Sequence, residues 1–181
     1  MVDERVRVVV VGGGTAGWMT AAALAHMAPD ACSVCLVESA EIGIVGVGEA
    51  TLPHLRAFLK RLHVDEAQFM RATDATYKLG IEFCEFGRLG ERYFHPFGSH
   101  GTPLGNVAFH HFWLRARAEG SSANLSEYGQ ADMASAACRF AQPEETENGP
   151  AFGWAYHFDA TKLAPFLRGQ PCSQDVGHHQ G

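Results

Sequence analysis

The chain has 181 residues, 46% of them hydrophobic and 19% charged, a length and balance that fit one globular domain rather than a disordered or fibrous chain. Its net charge of −6 argues against a nucleic-acid binder, which needs a positive field to displace the counterions of phosphates. The early apolar run Val6 to Val11 is broken by Arg7 and far too short to span a bilayer. Asp3 and Glu4 stand where a secretory leader would carry cations, so a cytoplasmic protein with no membrane segment is expected.

In chain order, Val6 to Val11 is a β-branched run that fits a strand buried in a parallel sheet. Three glycines follow, then a helix from Thr15 to Met27 rich in alanine, stopped by Pro29. Ser33 to Val37 reads as a second strand, which completes a βαβ unit. Glu41 to Ala50 is a glycine-rich loop. Thr51 to Leu62 places Leu52, Leu55, Phe58, Leu59 and Leu62 on one helical face, with Thr51 as N-cap and Pro53 in the first turn. Asp65 caps a short helix to Thr73, and Tyr77 to Phe83 resembles a strand. Gly87 to Leu104 is a loop of Gly, Pro, His and aromatic residues. Phe109 to Arg117 and Ser126 to Arg139 read as helices, and Gln142 to Pro150 as a polar loop. Asp159 caps a last helix to Arg168, in which Pro165 is an awkward interior residue. After Arg168 the text loses periodicity and apolar content, so residues 169–181 are expected to be a divergent, disordered tail to a domain of residues 1–168.

The five cysteines are Cys32, Cys35, Cys84, Cys138 and Cys172, an odd number that points to free thiols. Cys32 and Cys35 form a C-x-x-C, but on a strand residues i and i+3 face opposite ways, so no redox or metal pair is expected from them. The histidines, including His110, His111, His178 and His179, have no metal-ligand spacing, and no metal site is assigned.

Gly12-Gly-Gly-Thr-Ala-Gly17 matches G-x-G-x-x-G in its proper context, after a strand and opening a helix. Gly12 permits the tight turn, Gly14 lets the backbone approach a pyrophosphate, and Gly17 lets the helix lie close to the strand. The free amides about Thr15 and Ala16 and the helix dipole then attract phosphate. Glu38, about 20 residues further on, can accept hydrogen bonds from the hydroxyls of an adenosine ribose. The fingerprint alone does not separate FAD from NAD. A plain NAD dehydrogenase continues with short βα units, whereas this chain leaves that pattern after Glu38, as flavoproteins with a split nucleotide domain do.

Five segments, taken together, resemble the flavin-dependent tryptophan halogenases: Val11-Gly-Gly-Gly-Thr-Ala-Gly-Trp-Met19; Gly46-Val-Gly-Glu-Ala-Thr-Leu-Pro53 following Glu38-Ser-Ala40; Ala75-Thr-Tyr-Lys-Leu-Gly-Ile81; Tyr93-Phe-His-Pro-Phe-Gly98; and Ala155-Tyr-His-Phe-Asp-Ala160. The resemblance runs from about residue 5 to 168 and implies an α/β fold: a Rossmann-like FAD-binding βαβ of the glutathione-reductase type, here incomplete. It implies FAD, delivered as FADH2 by a separate flavin reductase, with dioxygen and a halide ion as co-substrate. The hypohalous acid so formed passes to a lysine beside a small electron-rich aromatic substrate such as tryptophan.

By the same resemblance the lysine is Lys78, the catalytic residue. Ser39, Ile42, Gly48, Glu49 and Ala50 join the fingerprint as cofactor contacts, and His95 and Phe97 sandwich the substrate ring. The family's W-x-W-x-I-P motif has no counterpart among Trp18, Trp113 and Trp154, nor does its downstream catalytic glutamate. The resemblance therefore implies a truncated halogenase, inactive alone. The alternatives are a non-catalytic FAD-binding remnant and a flavin-dependent aromatic monooxygenase; Lys78 argues against the second, since a hydroxylase needs no relay for hypohalous acid.

Overall fold

The structure, a computed structural model, describes residues 4–43, 46–144 and 151–181. The strands are β1 (Val6–Val11), β2 (Cys32–Glu38), β3 (Gly48–Ala50), β4 (Thr76–Lys78), β5 (Gly80–Cys84), β6 (Arg92–Pro96), β7 (Ala155–Asp159) and β8 (Gly177–Gln180). The helices are α1 (Thr15–Met27), α2 (His54–Arg61), α3 (Glu66–Thr73), α4 (Phe109–Ala118), α5 (Gln130–Ala136) and α6 (Ala160–Arg168). They fall into two compact units, residues 1–76 with 156–181 and residues 77–155. No helix among the described residues is long and apolar enough to cross a membrane.

The first unit is built on a parallel sheet of order β1-β2-β8. β1 pairs with β2 from Val6 opposite Cys32 to Val11 opposite Val37, and α1 makes the crossover between them. Trp18, Ala21, Ala22 and Ala25 give α1 its buried face, and the alanines let it lie close to β2 and α6. In β2 the alternation buries Cys32, Val34 and Leu36 together, with Cys35 on the other side, as the strand period requires. A second cluster centres on Phe69 of α3, whose ring meets Tyr156, Phe158 and Phe166 at centroid distances of 5.0, 5.6 and 6.0 Å. Edge-to-face contacts of this kind add about 0.5–1.5 kcal/mol per pair beyond area burial. α3 and α6 are both capped as their sequences indicate, Asp65 accepting from the Gln68 amide and Asp159 from that of Thr161. Pro165 stays within α6.

Three expectations change here. Thr51 does not cap α2, which starts at His54 after Pro53. Thr51 instead donates through its amide and hydroxyl to the Tyr156 carbonyl, and its Oγ1 accepts from the Tyr156 amide. The segment after Arg168 is not without structure. It turns through a 3-10 helix at Pro171–Ser173 and forms β8 alongside β2, Leu36 opposite His178 and Glu38 opposite Gln180. Cys172 anchors it by packing on Ala22 and Leu62, and Cys172 and Ser173 are both buried. Nor is β1 the buried strand that its β-branched run implies: it is the outer strand, its free edge meets no strand among the described residues, and Val6, Val9 and Val11 are 67%, 58% and 82% exposed.

The second unit carries the antiparallel hairpin β5–β6, with Ile81 opposite His95 and Phe83 opposite Tyr93. The strand expected over Tyr77 to Phe83 is divided at Leu79 into β4 and β5, and β6 arises within the stretch read as loop. Stacking of Phe83 on Tyr93 (5.0 Å) supports the hairpin, and Tyr77 stacks on Phe140 at 3.7 Å. The helix expected over Ser126 to Arg139 is broken into a 3-10 turn at Leu125–Tyr128 and α5, with Gly129 between them. Of the loop expected at Gln142 to Pro150, residues 145–150 lie outside the described residues.

Candidate cofactor and substrate sites

At the C-terminal end of the parallel strands the chain turns from β1 into α1 through Gly12, Gly13 and Gly14. Gly12 has φ +115°, open to glycine and strained for any other residue, and its amide donates to the Val37 carbonyl at 2.8 Å, which fixes the turn to β2. Gly14 is the N-cap of α1 in an extended conformation. The first amides of a helix have no acceptor within it and carry the positive end of its dipole, so this turn presents donors and a favourable potential to an anion.

The turn opens on a cavity of about 410 Å³ lined by Gly12, Gly13, Gly14, Thr15, Ala16 and Glu38, with Ser39, Ile42 and Gly43 completing it. Seven of these nine are among the residues expected as cofactor contacts, Ser39 and Ile42 by the resemblance alone; Gly17 does not line the cavity, but a Cβ there would run into the Gly12 carbonyl, so it lets α1 pack on the turn. Gly13 and Gly43 are additional. A Cβ on Gly13 would collide with the Glu38 carboxylate, so Gly13 gives that side chain its place over the turn. Donors at a helix start, room for phosphate and a carboxylate at the end of β2 fit the adenosine diphosphate half of a dinucleotide.

Gly48, Glu49 and Ala50 form β3, paired with β7 by Gly48 opposite Asp159, Glu49 opposite Phe158 and Ala50 opposite His157. Glu49 lies between two further cavities of the same unit. One, of 650 Å³, has Gly46, Asp74, His157 and Asp159 in its wall; the other, of 500 Å³, is more apolar, with Met19, Leu52, Phe58 and Leu163. Asp159 is held below the usual aspartate range by hydrogen bonds from the Thr161 hydroxyl and amide.

In the second unit Lys78, half-buried at the end of β4, places its Nζ 5.5 Å from the centre of the Phe97 ring, a cation over an aromatic face. The Phe97 amide donates to the Leu79 carbonyl at 2.8 Å, which ties the two segments together. His95 is exposed on β6, opposite Ile81. Lys78 and Phe97, far apart in sequence, are thus brought together by the pairing that continues the β5–β6 hairpin.

A parallel βαβ sheet with a glycine turn, a helix start and an acidic residue at the end of the second strand places the chain in the Rossmann-like dinucleotide-binding fold class. Within that class, the tryptophan halogenase family model matches residues 7–181, and the chain belongs to the tryptophan halogenase family. It is 34% identical to the tryptophan 6-halogenase ThaL of Streptomyces albogriseolus over 98% of this chain and 36% of that protein. Among solved structures it is similar to the flavin-dependent halogenase Xcc4156 from Xanthomonas campestris, at 45% identity and TM-score 0.86, covering 98% of this chain and 35% of that one. The flavin-dependent halogenase BrvH from Brevundimonas sp. BAL3 follows at 38% identity and TM-score 0.84, with the same coverage. The chain spans about a third of the length of these relatives. The match extends through residue 181, so the segment after Arg168 lies within the family's pattern.

Proposed function

We propose that these residues form the FAD-holding and lysine-bearing part of a flavin-dependent halogenase acting on tryptophan or another electron-rich aromatic ring. The observation that carries the reading is Lys78 set over the Phe97 ring at 5.5 Å, in a chain whose glycine turn makes a dinucleotide cavity. FAD, delivered as FADH2 by a separate flavin reductase, supplies the electrons that turn dioxygen and a halide ion into the halogenating agent. The amides of the Gly13 to Ala16 turn hold the pyrophosphate, and Glu38 accepts from the ribose. Ser39 and Ile42 line the same cavity, and Gly48, Glu49 and Ala50 bound the space beyond it. Lys78 donates a hydrogen bond to hypohalous acid and so fixes where the halogen is presented. His95 and Phe97 offer ring surfaces to a planar substrate. The reaction uses soluble small molecules, in keeping with a cytoplasmic enzyme.

The test is a halogenation assay on a chimera in which this chain replaces the corresponding third of the Xanthomonas campestris halogenase. The mixture holds flavin reductase, NADH, FAD, chloride, dioxygen and tryptophan. Mass spectrometry reads one chlorine in place of one ring hydrogen. Product that disappears with Lys78→Met, while FAD binding is unchanged, is the expected result; product that survives Lys78→Met overturns the assignment.

A further inference from the structure

Glu38 is not a bare carboxylate at the end of β2. Its side chain is only 13% exposed, and one of its two oxygens is taken: His178 Nε2 of β8 lies 2.7 Å from Oε1, and an Arg168 guanidinium nitrogen at the end of α6 lies 3.4 Å from the same atom. Oε2 makes no hydrogen bond within the protein among the described residues, and it is the atom that a Cβ on Gly13 would meet first. Gly13 and Glu38 both line the nucleotide cavity. One oxygen is therefore held by the protein, and the other stands at the cavity wall beside the turn.

His178 is itself held in place. Its imidazole meets the Trp18 indole edge-on at 5.4 Å, and Trp18 is 2% exposed. The backbone of β8 is tied to the same site: the Gly181 amide donates to the Glu38 carbonyl at 3.1 Å, and the Ala40 amide donates to the Gly181 carbonyl at 3.2 Å. Trp18, directly after the last fingerprint glycine, thus braces a residue more than a hundred positions away, which in turn grips the fingerprint acid. A glutamate without such partners would sample several rotamers and lose that freedom on binding ligand; one already fixed does not.

We propose that His178 and Arg168 are positioning residues for the adenosine ribose: they bind Oε1 of Glu38 so that Oε2 faces the ribose hydroxyls. This rests on the FAD reading and deepens it, since it names what orients the carboxylate. Neither residue touches the ligand; both act through Glu38.

The experiment compares ADP with 2′,3′-dideoxy-ADP, by calorimetric titration of the 181-residue chain. The parent is expected to prefer ADP by about tenfold or more, the effect of one or two hydrogen bonds to a charged acceptor. His178→Phe keeps a ring against Trp18 but removes the N–H; it should bring the preference close to one, with 2′,3′-dideoxy-ADP bound as by the parent. His178→Gln restores a donor and should restore most of the preference. Arg168→Met should lower it by less, because its contact is longer. An unchanged preference in His178→Phe, or an equal loss for both nucleotides, overturns the proposal, the second because it means β8 is only structural. A parent that binds ADP and does not discriminate also overturns it, since Glu38 then accepts nothing from the ribose. A parent that binds neither nucleotide, nor FAD, defeats the cofactor reading first and this proposal with it.

Discussion

Gly14 and Gly17 belong to one motif, yet the structure gives them separable jobs, and a pair of substitutions distinguishes them. A Cβ on Gly14 meets nothing within 4 Å, and the backbone there, φ −74° and ψ −176°, is open to any L residue. Gly14→Val loses a tolerated N-cap and gains from a stiffer unfolded chain, so its stability should stay within about 1 kcal/mol of the parent. The added methyls stand in the cavity wall, and FAD affinity should fall by well over tenfold. Gly17 is the reverse. A Cβ there overlaps the Gly12 carbonyl oxygen and lies 3.0 Å from its carbon, both backbone atoms of a turn whose Gly12 amide is held by the Val37 carbonyl. Relief needs α1 to move on the order of 1 Å in close-packed surroundings. Overpacking of this kind costs about 3 kcal/mol at the upper end of its range, and the helix preference of alanine over glycine returns about 1. Gly17→Ala should therefore be about 2 kcal/mol less stable. Urea unfolding followed by circular dichroism gives the first quantity, and quenching of FAD fluorescence the second. A Gly17→Ala chain as stable as the parent, or a Gly14→Val chain that binds FAD equally well, refutes the division of roles.

Two further outcomes follow from ionisable groups. Asp159, its pKa lowered chiefly by the Thr161 hydroxyl and then the Thr161 amide, contributes stability that is present above its unfolded pKa and lost as pH falls through the lower folded value. Melting temperatures taken downward from about pH 5 should drop less steeply for Asp159→Asn than for the parent; parallel curves count against the cap. Burial pushes the Cys172 thiol up, so the folded state resists its ionisation and that contribution to stability is lost as pH rises above the thiol's unfolded value. With an alkylating reagent near neutral pH, exposed Cys84 and Cys138 should be modified in the native chain while Cys172 is spared until unfolding; early labelling of Cys172 would mean that the 3-10 turn at Pro171–Ser173 does not anchor β8.

The nucleotide unit is legible in the sequence because its signals are local and redundant. The β-branched run of β1, the glycines, the alanine-rich α1 and Glu38 each constrain one short stretch of backbone, and all agree. The caps Asp65 and Asp159 were readable for the same reason: a carboxylate three or two residues before an amide needs no tertiary partner. What escaped depends on distant pairing. β8 has almost no apolar content, and Gly177-His-His-Gln180 becomes a strand because β2 offers it a parallel edge. With β8 went His178, whose contact with Glu38 no spacing could reveal. β6 lay hidden in a stretch of aromatic and charged residues that pairs with β5 as an exposed ribbon. Thr51 read as a cap by its position before Pro53, but two backbone partners on β7 outbid a helix end. Lys78 and Phe97 came through resemblance alone; the residues themselves say only that a lysine sits in an apolar stretch.

The proposed function stands on FAD lying on the Gly12 to Gly17 turn with its adenosine end at Glu38. The most direct measurement is the amide NMR spectrum of the chain titrated with FAD. Saturable shifts at Gly13, Gly14, Thr15, Ala16 and Glu38, reproduced by ADP alone at the same residues, are the predicted result. An unchanged spectrum, or shifts confined to residues outside the glycine turn, would contradict it.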